Sequence, residues 1–396
     1  MIKRFGTLYA GQVDLDGIGF GGPATNSRWY DNERLISVFD TAKELALTMD
    51  RLGYDTLWLA EHHFQREGYE CIPNILLLST HLAHLTQNLR FGCGFNVAPM
   101  WHPLRLAEDY AMADILTGGR VRFGVGRGYH TREVETFGIP MLDGDANREI
   151  FEEQVEVILK AFDQRSFSHQ GKHYTLPPKV PYRGYELSDL TLVPQPVTRP
   201  IEIWQPIVSA SPRGLDFMVR HGIKGVVGGG AASTLLANSV VEAWRDAQAR
   251  HGIETELGGN LIIGLSSYIA DTEEAAYAAA CPLLEEYQKM FAPLGFVRPI
   301  TDEQIAMVAN PATAREAGLP KPREQGWVLG PPERLVDRLL ELEEQFPGLE
   351  EVMIGQPVGA PSGILLEQLE LVGREVIPAF RERQAARRAD KTPSAR

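Results

Sequence analysis

Short continuous apolar runs and longer stretches with a helical period take turns along this chain, and each run ends in small or polar residues. Phe5 to Ala10 reads as a buried strand, followed by a Gly- and Asp-rich stretch to about Asp31 that is long for a strand-to-helix loop. From Glu33 to Leu52 the positions Leu35, Val38, Phe39, Ala42, Leu45, Ala46, Met49 and Leu52 share one stripe. This predicts a helix with Asp31 or Asn32 as its cap and Gly53 as its stop. Tyr54 to Ala60 is a strand by composition, and it delivers Glu61, His62, His63 and Phe64 at its carboxyl end. A helix fits Asn74 to Leu85 and a strand Leu89 to Val97. The next helix carries Leu104, Ala107, Ala111 and Ile115 before Gly118-Gly119 ends it. Strand Val121 to Val125 then meets Gly126, Arg127 and Gly128. Small residues there admit a ligand to the backbone, and Arg127 offers a planar cation suited to an anion.

Helix Asn147 to Phe162 keeps the rhythm, which Asp163 to Pro200, rich in Pro, Tyr and Lys, breaks as an extended excursion. Ile201 to Val208 restores a strand, and SASP at residues 209 to 212 opens a helix ending near His221-Gly222. Strand Lys224 to Val227 meets Gly228-Gly229-Gly230; helix Thr234 to His251, strand Asn260 to Ile269 and a helix capped by Asp271 or Thr272 follow. Residues 293 to 327 are loop-like around one amphipathic piece, a lid or an excursion with no assigned fold. Pro331 to Phe346 is a helix, Glu351 to Gly355 a strand and Ile364 to Phe380 a closing helix, with a polar basic tail at 383–396. About eight strand-plus-helix units predict an α/β chain folded as one (β/α)8 TIM barrel over residues 1–382, with insertions, rather than an open sheet.

Composition narrows the chemistry. A net charge of −13 and no large basic block speak against nucleic acid or anionic membrane as partners and favour a small-molecule substrate. No apolar run reaches the roughly 18 residues of a membrane span, and the start MIKRFGTLYAGQ lacks a signal-peptide core, so a cytoplasmic protein is expected. The three cysteines, Cys71, Cys93 and Cys281, lack CxxC spacing and read as packing residues.

His62 and His63 at a strand end bring acid–base capacity, and because adjacent residues point to opposite sides, at most one reaches the pocket. Ser209 and Ser211 suit an ordinary helix cap and equally a phosphate at a helix N-terminus. His81 and His84 share a helix face without a third ligand at suitable spacing, so no metal site is expected. GVGRG at residues 124 to 128 has its last Gly one position too early for a dinucleotide loop. Trp58, Phe64, Phe95, Trp101, Tyr129 and Trp204 near strand ends are core residues or the walls of a pocket for a flat ring.

In the same order, YDTLWLAEHHF, HPLRLAEDYAMADILTGGRVRFGVGRGY with TREVETFG, SASP after a strand, and VLGPPERLVDRL with REVIPAF resemble the bacterial luciferase-like flavin-dependent monooxygenases. The resemblance covers most of residues 1–382 and implies a barrel that binds FMN, or in a sister branch a deazaflavin, at the strand carboxyl ends. It implies His62 as the catalytic residue at the reactive flavin edge and Gly94 and Phe95 as a bulged, often cis-peptide turn behind the ring. It places Arg127, Ser209 and Ser211 at the phosphate and the Tyr129 backbone at the flavin's polar edge. Two departures stand out: Gly126 replaces the reactive Cys of the luciferase subunit, and Val208 replaces the acidic residue before its phosphate serines, so light emission is not implied. The implied activity is a two-component monooxygenase, in which reduced FMN from a separate flavin reductase reacts with O2 to a C4a-hydroperoxide that oxygenates a small organic substrate. A homodimer is the usual assembly. A deazaflavin-dependent hydride transfer in the same pocket and a non-catalytic flavin-binding protein remain as alternatives.

Overall fold

The structure, a computed structural model, describes residues 1–228, 235–297, 300–355 and 357–391. Gly229, Gly230, Thr234 and the end of the expected tail, residues 392–396, lie outside them. Eight parallel strands close on themselves: β1 Arg4–Tyr9, β2 Thr56–Leu59, β3 Arg90–Cys93, β4 Val121–Gly126, β5 Ile203–Pro206, β6 Lys224–Val227, β7 Leu261–Ile269 and β8 Glu351–Gly355. Each pairs with the next, and β8 returns to β1 through Arg4↔Glu351 and Phe5↔Val352. This is the expected (β/α)8 barrel, with its helices outside.

Helix boundaries follow the local chemistry. Helix Asn32–Leu52 starts where the Asp31 side chain accepts from the Arg34 N–H and stops where Gly53 turns left-handed at φ 74°. Helix Pro103–Thr117 carries Pro at its first position and ends at Gly118 with φ 65°. Of the two caps expected for helix Glu273–Phe291, Thr272 is the one used. No helix among the described residues is long and apolar enough to cross a membrane.

The amino-terminal end of the barrel is sealed by a buried ion pair. Arg122 Nη1 donates to Glu351 at 2.6 Å, with its guanidinium 4.9 Å from the Trp58 ring and 4.6 Å from that of Trp204.

Three expectations change in detail. The run Leu89 to Val97 is not one strand: β3 ends at Cys93, the Gly94–Phe95 peptide is cis, and Asn96–Val97 pairs separately with Val125 and Gly126. The excursion at 163–200 holds two small antiparallel pairs, His169–Gln170 with Thr175–Leu176 and Pro181–Tyr182 with Tyr185–Glu186. The last helix does not end at Phe380, because Ile377–Lys391 continues through most of the expected tail. Within 293–327, the amphipathic piece is helix Asp302–Ala309, opened by a capping box between Thr301 and Gln304.

Candidate active site

The carboxyl end of β2 turns outward at Glu61, His62 and His63, and each side chain finds a different partner. Glu61 is buried as an anchor, accepting from the Val97 N–H at 2.7 Å and from Trp101 Nε1 at 2.8 Å, with His63 Nε2 3.2 Å away. These bonds fasten the segment after the cis Gly94–Phe95 turn to the end of β2. His62, the expected catalytic residue, is buried, whereas His63 is more open.

Around His62 lies a set of polar groups that the sequence reading did not weigh. His62 Nδ1 stands 3.2 Å and 3.3 Å from the two carboxylate oxygens of Glu133, which also accepts from the His63 N–H and Gln65 Nε2, each at 2.9 Å. The network assigns the Nδ1 proton to the bond with Glu133 and leaves Nε2 facing the Tyr129 hydroxyl at 2.9 Å. That hydroxyl is 2.7 Å from Glu70 Oε1, and Glu70 Oε2 is 2.8 Å from His130 Nε2. Donor atoms of His62, Glu70 and His130 lie within 4.8 Å of one another, a spacing a metal ion would also accept. Here hydrogen bonds, with Tyr129 between His62 and Glu70, connect them.

Burial alone would push the His62 pKa down, but the charge of Glu70, then the hydrogen bond and charge of Glu133, outweigh it and hold the imidazole above its ordinary value. Glu133 answers in the opposite sense. Burial favours its neutral form, yet the bonds and charges of His62, the charge of His130 and the Gln65 bond keep its carboxyl below the usual range.

A second polar focus forms where β4 and β5 lie side by side through Phe123↔Ile203 and Gly124↔Trp204. Arg127 follows β4, and its Nη1 donates to the Gly144 carbonyl at 3.3 Å. Its pKa is lowered by burial and by the positive charge of Arg148, partly offset by the Glu152 carboxylate, and then by Arg213; Glu152 lies 3.9 Å from Arg148 Nη1 and 2.8 Å from Arg213 Nη2, so this group of cations already holds one carboxylate. Arg148, missed in the sequence reading, reaches the helix that follows β5, since a Cβ on Gly214 would lie 3.4 Å from its Nη1. In that helix, Pro212–Arg220, Ser211 takes the N-cap position without making a cap bond, and Ser209 is exposed just before it. The Ser211 hydroxyl is thus not used by its own helix, whose start presents first-turn N–H groups.

Between the two foci stands the Gly94–Phe95 turn. The backbone of β4 runs so close behind it that a Cβ on Gly124 would sit 1.9 Å from the Cys93 carbonyl oxygen. A Cβ on Gly126 would rest 3.4 Å from Phe95 Cβ. Tyr129, expected to contribute its backbone, contributes its hydroxyl to the His62 network, and its ring meets Phe296 at 4.8 Å.

The model of the luciferase-like monooxygenases matches residues 18–347. The chain belongs to that family. As a luciferase-like monooxygenase it is an oxidoreductase, and its relatives agree. It is 28% identical over 374 residues to the oxygenase component of a flavin-dependent trigonelline monooxygenase from Acinetobacter baylyi, covering 90% of this chain and 94% of that one. To limonene 1,2-monooxygenase from Rhodococcus erythropolis it is 24% identical, over 85% and 80% of the two chains. Among solved structures, the oxygenating constituent of 3,6-diketocamphane monooxygenase from Pseudomonas putida, in complex with FMN, has a TM-score of 0.69 at 18% identity, covering 96% of this chain and 98% of that one. An F420-dependent secondary alcohol dehydrogenase reaches 0.66 at 14% identity, over 96% of this chain and 100% of that one. These two structural likenesses establish the shared barrel.

Proposed function

We propose that this luciferase-like monooxygenase is the oxygenase half of a two-component system, taking reduced FMN from a separate flavin reductase and using O2 to oxygenate a small organic substrate. The observation that carries the reading is the pairing of two foci at one barrel mouth. One is a cluster of arginines at a helix start; the other is a buried imidazole–carboxylate pair. They lie on either side of the Gly94–Phe95 turn.

The residues fit a flavin mononucleotide. Arg127, Arg148, Ser209, Ser211 and the start of helix Pro212–Arg220 would hold the phosphate, with Glu152 balancing part of the arginines' charge. Gly94 and Phe95 would back the ring. The buried amide of Asn147, beside Arg148 on one helix, has no partner on either polar atom among the described residues, as suits a chain that meets a polar ligand. Bound reduced flavin supplies the electrons that activate oxygen. The chain's own tasks are to position it, to exclude water and to hold a proton at His62 Nε2.

His62 with its charge partner Glu133 argues for catalysis over simple flavin storage. The aromatic residues beyond it, Tyr129, Phe291 and Phe296, with ring centroids 4.8 to 6.2 Å apart, favour an apolar or flat substrate. A second copy of the chain is the expected partner, supported by the exposed Leu77, Met112 and Leu116 on two neighbouring outer helices. Free Cys71, Cys93 and Cys281 suit a reducing cytoplasm. Oxygen-dependent, substrate-coupled turnover of reduced FMN tests the reading; binding of FMN with no such turnover would reject it.

A further inference from the structure

We propose that Glu70 is a second seat for the proton that His62 holds, and that the Tyr129 hydroxyl passes the proton between them while His130 fixes Glu70 in place. The role in turnover rests on the oxygenase reading above; the proton path itself rests on the geometry of the chain.

The chain of contacts is continuous. His62 Nε2 is 2.9 Å from the Tyr129 oxygen, that oxygen is 2.7 Å from Glu70 Oε1, and His130 Nε2 is 2.8 Å from Glu70 Oε2. The direct gap from His62 Nε2 to Glu70 Oε1 is 3.4 Å, so the phenol gives the shorter steps.

Two protonation states satisfy the same atoms. With the proton on His62, Nε2–H donates to the phenol oxygen and the phenol O–H donates to the Glu70 carboxylate. For transfer, the Nε2–H bond breaks as its proton bonds to the phenol oxygen, while the original phenol O–H breaks toward Glu70 Oε1. The products are a neutral imidazole whose Nε2 accepts, a neutral phenol that donates to it, and a carboxylic acid that donates to the phenol oxygen. One proton has moved net, and no donor or acceptor of the path has been stranded. Burial and the Glu70 charge strongly oppose ionising Tyr129, which suits a bridge that carries protons and never stores the charge.

The surroundings limit what else can supply the proton. Glu61, from the end of β2, acts on His62 by its charge alone, and its oxygens are engaged by Val97, Trp101 and His63. Glu133 is occupied at Nδ1, on the other side of the ring. Tyr287, on helix Glu273–Phe291, and Cys71, next to Glu70, both feel the Glu70 charge, and both are raised to about 12, out of the neutral range. Glu70 is thus the carboxylate in line with Nε2, and a positioning residue that acts through Tyr129.

The test is an imidazole NMR titration of His62 and His130 in the flavin-free protein, for the wild type, Glu70→Gln, Glu70→Asp and Tyr129→Phe. It is paired with pH profiles of kcat and KM. Tyr129→Phe removes one oxygen and keeps the packing, so it remains informative if Glu70→Gln misfolds. The expected result is a fall in the His62 midpoint of about one unit, roughly tenfold in proton affinity, in Glu70→Gln, partly restored in Glu70→Asp, and a smaller fall in Tyr129→Phe, which keeps the Glu70 charge 3.4 Å from Nε2 and should instead lower kcat. The kcat profile should shift by a similar amount with little change in KM. An unmoved His62 midpoint in Glu70→Gln overturns the coupling to Glu70, and an unchanged kcat in Tyr129→Phe overturns the bridge. Failure of the oxygenase reading looks different: oxygen-dependent turnover is then absent in every protein, while the titration shifts persist and uphold the path.

Discussion

His62 Nδ1 lies 3.2 Å from the nearer carboxylate oxygen of Glu133, a residue 71 positions further along the chain. The contact orients the imidazole so that Nε2 faces the Tyr129 hydroxyl, and its charge adds to that of Glu70 in raising the pKa of the buried ring. Glu133→Gln should therefore lower the His62 pKa and cut kcat by about tenfold or more, while His62→Ala, which removes the proton carrier, should cost about a hundredfold or more. FMN affinity should change little in either. Steady-state kinetics with reduced FMN, beside a binding titration, checks both, and unchanged kcat in His62→Ala would remove it from the mechanism.

The same pair sets a pH window for stability. His62 is raised in the folded state, so the folded protein binds more protons than the unfolded one above the ordinary histidine value of about 6.5. Its contribution is complete below that value and is lost as pH rises through the folded pKa. Glu133 is lowered from 4.5, so its contribution is complete above that value and is lost as pH falls through its folded pKa. Melting temperature against pH should be flatter on the alkaline side in His62→Asn and on the acid side in Glu133→Gln than in the wild type. Parallel curves for all three proteins would contradict this.

Arg127 and Arg148 are predicted to act as one anion site. Because a charged hydrogen bond contributes roughly 1.5–3 kcal/mol, either arginine changed to Ala should weaken FMN about tenfold or more. Riboflavin, which lacks the phosphate, should be affected far less. Equal losses for both ligands, measured by fluorescence quenching, would move the phosphate elsewhere.

Gly124 marks how tightly β4 passes behind the Gly94–Phe95 turn. A methyl group there meets the Cys93 carbonyl oxygen at 1.9 Å and Phe95 Cδ1 at 2.8 Å. Gly124→Ala should cost at least about 1–3 kcal/mol and weaken flavin binding. The control is Gly144→Ala, where a Cβ meets nothing within 4 Å. Thermal melts that rank the two alike would refute the close approach.

The barrel was legible because each strand is a short apolar run ended by turn residues, and each helix keeps its stripe between a cap and a glycine. His62 was legible for the same reason, as a titratable residue at a strand end. Glu70, Glu133, His130 and Arg148 were not. Glu70, His130 and Glu133 meet His62 from two separate segments, and Arg148 meets Arg127 from a helix start, without a local period to flag them; Glu70 and His130, for example, are 60 positions apart. Glu133 did carry one signal, since it lies in the TREVETFG segment that supported the family resemblance. The split of the third strand was not visible in the composition of Leu89 to Val97, which reads as one strand-like run; only the family resemblance pointed to a turn at Gly94–Phe95, where the peptide is cis.

The exposed apolar side chains of helices Ile75–Leu85 and Pro103–Thr117 predict self-association. Leu77 is 71% exposed and Leu116 is 51% exposed. Leu77→Glu with Leu116→Glu should turn a dimer into a monomer in sedimentation velocity, with the barrel still folded. An unchanged sedimentation coefficient would place the interface on another face.

The most direct test is an anaerobic titration of the purified protein with reduced FMN and, separately, with a reduced deazaflavin. Each complex is then mixed with 18O2 and candidate apolar or aromatic substrates. The account predicts preferential binding of reduced FMN and one labelled oxygen atom in the product per flavin oxidised. Binding of the deazaflavin alone, with substrate oxidation that proceeds without oxygen, would contradict it and make the reaction a hydride transfer.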